Sequence, residues 1–161
     1  MPYALGARSL SFCSHVDPRL MAVANLAISI SGQDFGFTQE QSRTLADEQA
    51  LVARGVSHTL KSHHIIGTVG AAPGYSGALD AVPWNGSAFV WEWPRIYVVA
   101  KAFQQASIQL KTPLTWGGVW DRFMSEYNDM QAASADYIAR KRAAGNPNPF
   151  VDGPHFELGA N

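Results

Sequence analysis

Asp17-Pro18 opens the first periodic stretch of the chain. Aspartate suits a helix N-cap and proline the first helical position. Leu20, Met21, Ala24, Ala27 and Ile28 then recur at helical spacing until Gly32. Residues 34–39 alternate instead, with Phe35 and Phe37 on one face, and predict a short strand. Thr44-x-x-Asp47 has the form of a capping box, and Leu45, Glu48, Gln49 and Val52 continue a helix that Gly55 closes. Periodicity then fails from 55 to 77, a stretch with five glycines, one proline and three of the five histidines.

It returns at 78–82, which reads as a strand stopped by Pro83. Pro94 opens a helix to about Lys111 that carries Ile96, Val99, Phe103, Ala106 and Leu110 on one stripe. Residues 114–116 predict a strand ended by Gly117-Gly118. Residues 119–144 predict a helix with Phe123, Tyr127, Met130 and Tyr137 as its apolar side. Asn146-Pro147-Asn148-Pro149 breaks it, and 155–158 predicts a last strand. Helices and short strands alternate with no Gly-rich phosphate loop, so the expected class is α+β and not a nucleotide-binding fold.

Composition narrows the function. The chain has 161 residues, 47% hydrophobic and 16% charged, with net charge −1. This length points to a single domain over 1–161. Near-neutral charge argues against a nucleic-acid partner. No apolar run is long enough for stable membrane insertion. The first residues lack a basic stretch followed by an apolar one, so synthesis without a secretory signal is expected. The single Cys13 has no partner for a disulfide within the chain and reads as a small buried residue.

Two clusters can carry chemistry. One is Ser62-His63-His64-Ile65-Ile66-Gly67 followed by Ala78-Leu79-Asp80, and the other runs from Asp152 through Gly153, Pro154, His155 and Phe156 to Glu157 and Leu158. Two imidazoles and a carboxylate suit a three-ligand catalytic zinc site with a fourth position open, and a further carboxylate could act as general base. Loop histidines are more commonly surface residues than ligands, and Asp before Gly-Pro is a common turn former, so these residues alone leave both readings open. His155 and Glu157 lie two apart on a strand and share a face, which lets Glu157 support a ligand from behind.

Ser62-x-His64-x-x-Gly67 with Ala78-x-Asp80 resembles the first signature of the zinc D-Ala-D-Ala carboxypeptidase / L-alanyl-D-glutamate peptidase family. The segment from Asp152 to Leu158 is similar to its second signature. Arg43-Thr44 with Glu48-Gln49 and Trp116-Gly117-Gly118-x-Trp120 resemble two further stretches. The likeness runs from about Leu5 to Leu158 and is greatest to single-domain phage endolysins.

It implies a hedgehog/DD-peptidase-like α+β fold, a small antiparallel sheet flanked by helices. It also implies Zn²⁺ on His64, Asp80 and His155, with His64 and not the adjacent His63 as ligand. Asp152 would be the catalytic base, Arg43 would contact the scissile carbonyl or its oxyanion, and Ser62 would fix substrate or the loop bearing His64. The expected protein is a monomeric zinc peptidoglycan hydrolase, an L-alanyl-D-glutamate endopeptidase cutting the stem peptide. As a phage endolysin it would be held in the host cytoplasm until lysis. The alternatives are a D-Ala-D-Ala carboxypeptidase or dipeptidase, and a non-catalytic wall-binding or virion protein retaining the fold.

His64 and Asp80 are further apart than in the family, so 68–76 is expected to be a loop insertion that rims the cleft or bulges into solvent. A second insertion is expected at 125–149. There Arg140-Lys141-Arg142 reads as a solvated helix end, and the five tryptophans read mainly as core.

Overall fold

The computed structural model describes residues 1–159. A short helix α1 (Ala7–Ser11) precedes α2 (Pro18–Ile30), whose N-cap Asp17 accepts the Arg19 N–H at 2.9 Å. The inward stripe of α2, including Leu20, Val23, Ala24, Ala27 and Ile28, is fully buried. The capping box forms at Thr44 and starts α3 (Leu45–Ala53). A long α4 (Trp93–Gln109) packs on α2 and buries Ile96, Val99, Phe103 and Ala106. These two helices are the scaffold on which the strands lie.

Two strands, β1 (Phe35–Gly36) and β3 (Val82–Pro83), form a small antiparallel pair. The main antiparallel sheet contains β2 (Ala78–Asp80), β4 (Leu114–Trp116), β5 (Val119–Phe123) and β6 (His155–Leu158), in the order β2-β6-β4-β5. Phe156 on central β6 stacks on Phe103 of α4 with ring centroids 3.9 Å apart, which joins sheet to helix. The α+β class is as the pattern predicted, and the small antiparallel sheet flanked by helices is as the resemblance implied.

Two elements differ from expectation. The strand read over 78–82 is divided between two sheets. After Asp80 the chain leaves the main sheet, Ala81 donates its N–H to the Pro154 carbonyl, and Val82 joins β1. The helix read over 119–144 is instead β5, a 3-10 turn at Met124–Glu126, and a helix α5 (Met130–Ala143) capped by Asp129. Gly117-Gly118 reverses the chain so that Val119 pairs back on Trp116. The apolar residues after it satisfied a helical period by coincidence, while pairing across the turn decided the structure.

The 68–76 segment is not among the residues lining the cleft, and Val69, Gly70, Pro73 and Gly74 in it are exposed. The buried Asp17 carboxylate accepts the Ala72 N–H at 2.7 Å, and Arg19 reaches the Gly70 carbonyl at 2.7 Å. The Ser76 side chain is buried and bonds the Ser42 hydroxyl at 2.7 Å. The segment is thus strapped to the start of α2. In α5, Arg140 and Lys141 pair with Asp121 of β5, at 2.9 and 3.1 Å, so this helix end is tied to the sheet edge. Cys13 is buried, and that burial pushes its thiol up to about 12, a poor nucleophile.

Candidate metal centre

Strand register brings the first two candidate ligands together. Asp80 on β2 and His155 on β6 are direct partners across the antiparallel ladder. His64 arrives on a loop that is hydrogen-bonded to the Arg43 segment. The Arg43 N–H donates to the His64 carbonyl and the Ile66 N–H to the Arg43 carbonyl, each at 2.8 Å. The Ser62 hydroxyl accepts the His64 N–H at 3.2 Å and closes the turn. Arg43 and His64, distant in sequence, are therefore placed as one backbone unit.

Three side chains converge. His64 Nε2 lies 3.3 Å from His155 Nδ1 and 3.3 Å from the Asp80 carboxylate, which is 3.2 Å from His155 Nδ1. Ligand atoms at the corners of a tetrahedron of about 2.0 Å radius are roughly 3.3 Å apart, so these separations match a tetrahedral metal site. The outward ring atoms fix the tautomers. His64 Nδ1 donates to the Gln41 carbonyl at 2.7 Å, since a carbonyl can only accept. His155 Nε2 faces Glu157 at 2.9 Å and donates to that carboxylate. Both remaining ring nitrogens turn their lone pairs to the common centre.

The electrostatics favour a cation there. Burial opposes a charged His155 ring, but the Asp80 and Glu157 carboxylates on its two nitrogens outweigh it and lift the imidazole to about 9. Burial likewise opposes the Asp80 carboxylate, yet the two imidazoles hold its carboxyl far below the usual range. Carboxylates on both sides of the His155 ring favour positive charge at this centre, which a divalent ion can supply. Glu157→Gln keeps the shape but weakens the support behind His155. It is expected to lower metal affinity by about 10–100-fold, measured by competition with a chromophoric chelator.

Asp152, Arg43 and Ser62 line the same cleft of about 1210 Å³ as the three candidate ligands. Asp152 is placed by its backbone. Its N–H donates to the Gly117 carbonyl at 2.8 Å, and its own carbonyl accepts from His155 at 3.2 Å. The buried Trp116 ring donates to the Gly153 carbonyl at 2.6 Å. A Cβ on Gly117 would overlap the Asp152 carbonyl oxygen. The Trp-Gly-Gly stretch is therefore a cradle for the loop that bears Asp152 and His155. Gly117→Ala is expected to destabilise the fold by about 2 kcal/mol or more, seen as a lowered Tm. Burial raises the Asp152 carboxyl, with the neighbouring Asp80 charge adding to it and the two imidazoles opposing. A raised carboxyl suits a group that takes and returns a proton.

Other participants were less visible in sequence. Glu48 is fully buried on α3 and accepts Arg43 Nη1 at 3.0 Å and the Ser57 hydroxyl. It fixes the guanidinium, and its signal was a carboxylate on the apolar stripe of a helix. Gln41 is buried and serves two ligand residues. Its carbonyl accepts from His64, and its side-chain oxygen accepts the Asp80 N–H at 2.7 Å. Nothing in the spacing singled it out. Trp120 also departs from the core reading. It is half-buried at the cleft, stacked on exposed Phe150 and set against the His155 ring with centroids 5.0 Å apart.

The chain is similar to known peptidases over most of its length. The family model described as phage L-alanyl-D-glutamate peptidase matches residues 1–159. The L-alanyl-D-glutamate peptidase of Escherichia phage T5 is 30% identical, the match covering 84% of this chain and 95% of that protein. Among solved structures, the L-Ala D-Glu endopeptidase ChiX of Serratia marcescens superposes with a TM-score of 0.68 at 25% identity, covering 98% of this chain and 91% of the other.

Proposed function

The chain belongs to the phage L-alanyl-D-glutamate peptidase family and is a peptidoglycan-hydrolysing endopeptidase, and from that premise we propose how its residues cut the L-Ala–D-Glu bond of the stem peptide. His64, Asp80 and His155 would hold Zn²⁺, with Asp152 moving the proton and Arg43 offsetting the negative charge that develops beside it. The observation that supports this reading is the convergence of two imidazoles and a carboxylate at tetrahedral spacing, with Asp152 and Arg43 in the same cleft. Two nitrogens and one oxygen from protein are the donor set of a catalytic zinc site with one position open.

Zinc bound there supplies Lewis-acid polarisation of the scissile carbonyl and acidifies water at neutral pH. Asp152 accepts a proton from the attacking water and returns it to the departing D-Glu nitrogen, so one carboxylate acts as base and then as acid. Arg43, held in place by the buried Glu48, keeps a fixed positive charge where the tetrahedral intermediate becomes anionic. Ser62 holds the His64 loop through its hydroxyl, and Glu157 and the Gln41 carbonyl keep both rings in the ligating orientation. The chain acts as an endolysin on the cell wall, as a monomer released from the host cytoplasm at lysis. No helix among the described residues is long and apolar enough to cross a membrane.

The test is mass spectrometry of purified peptidoglycan after digestion, with new amino termini labelled. The expected products carry free D-Glu amino ends and leave L-Ala on the sugar, and a chelator abolishes both. Release of D-Ala without new D-Glu amino ends would instead make the chain a carboxypeptidase.

A further inference from the structure

Charge is unevenly placed around the cleft. The whole chain has 12 basic and 13 acidic residues, yet from Gln49 to Leu79 it contains no Asp or Glu. Arg54, at the C-terminal end of α3, and Lys61, just before Ser62, both lie in this stretch and both line the cleft. Of the other charged groups lining the cleft, Glu40 and Asp152 carry carboxylates without an ion-pair partner among the described residues, and the rest are engaged. Arg43 holds Glu48, Asp47 is bound to Thr44, Asp80 faces two imidazoles, and Glu157 sits between His155 and His63. Among the described residues neither Arg54 nor Lys61 pairs with a carboxylate, whereas Arg19, Arg43, Arg95, Arg122, Arg140 and Lys141 all do. Between the two cations along the chain, Val56 also lines the cleft and is 68% exposed. A cation at a helix C-terminus also suits the helix dipole, but Lys61 is outside any helix and has no such reason to be there.

We propose that Arg54 and Lys61 form an anion-recognising wall for the free carboxylates on the D-Glu side of the scissile bond, so that the enzyme prefers stem peptides whose D-Glu α-carboxylate is not amidated. This specificity rests on the proposed function and adds to it. The chemistry of the stem sets the direction. On the L-Ala side the peptide is joined to the sugar through an amide and has no free carboxylate. All its free carboxylates lie on the leaving side. The sheet order places the two walls apart. The cationic segment adjoins β2 through the His64–Gln41–Asp80 contacts, while Trp120 with its Phe150 stack lies on β5 at the other edge. A stem peptide laid across the centre with its carboxylates at Arg54 and Lys61 then turns its uncharged L-Ala end to the aromatic edge. The exposed methyls of Val56 suit the methylene chains between those carboxylates.

The experiment compares two acetylated L-Ala–D-Glu-diamino-acid tripeptides, one with the D-Glu α-carboxylate free and one with it amidated, using the zinc-loaded full chain. The expected wild-type preference is for the free acid, carried by KM, at roughly fivefold for each cation engaged. It weakens as salt rises from low to physiological ionic strength. Arg54→Gln with Lys61→Gln is expected to reduce the ratio of kcat/KM values to near one, while the control Arg8→Gln, away from the cleft, keeps it. A wild-type ratio near one, or a preference that survives the double substitution, overturns the proposal while leaving the endopeptidase reading intact. Cleavage of neither peptide by the wild type would overturn that reading, and this one with it.

Discussion

Asp152→Asn is expected to lower hydrolysis of the stem peptide by about 10³-fold while leaving fold and metal content unchanged. Asparagine is nearly isosteric, and the bonds that position residue 152 run through its backbone, to the Gly117 carbonyl and from the His155 N–H. Removing the carboxylate therefore removes proton transfer without moving the loop. Burial and the Asp80 charge raise the Asp152 carboxyl, which gives it the proton affinity a shuttle requires. Single-turnover kinetics together with metal analysis read the two properties separately. A variant that keeps more than a tenth of the wild-type rate would remove Asp152 from the proposed mechanism.

Asp80→Ala is expected to have the second large effect, on metal binding and stability at once. Without that carboxylate, His64 Nε2 and His155 Nδ1 remain 3.3 Å apart with no anion between them. Two imidazoles alone hold zinc weakly, so hydrolysis should fall to background. Ligand binding to the native state stabilises it by mass action, about 2.7 kcal/mol when free metal exceeds Kd a hundredfold. Zinc should therefore raise the Tm of the chelator-stripped wild type clearly and leave that of Asp80→Ala nearly unchanged. This readout is independent of catalysis. An equal rise in both proteins would mean that the ion binds elsewhere.

The parts of the fold legible in sequence were those decided locally. Asp17-Pro18 and Thr44-x-x-Asp47 start helices because a side-chain oxygen meets free N–H groups within a few residues, and both caps form as expected. The 119–144 segment was misread because its outcome depends on a hairpin at Gly117-Gly118 that folds β5 back on β4. The ligand residues were visible as types, since few side chains can bind a metal. Their meeting point was not, because it depends on the Asp80–His155 register and on the bridge between the Arg43 and His64 segments. Gln41 left no trace because half of its contribution is a backbone carbonyl, which every residue has. Glu48 falls on its expected helix, but its task depends on the ion pair with Arg43, which helical spacing does not show. The 68–76 segment could not be placed from sequence, since its anchors are Asp17 and Arg19 at the start of α2.

The most direct measurement is anomalous diffraction at the zinc absorption edge from crystals of the zinc-loaded protein. One strong peak is expected within about 2.0–2.2 Å of His64 Nε2, His155 Nδ1 and an Asp80 carboxylate oxygen, with the fourth position free of protein and open to the cleft. A peak at any other cluster, no peak at all, or a fourth protein side chain filling that position would contradict the proposed catalytic centre.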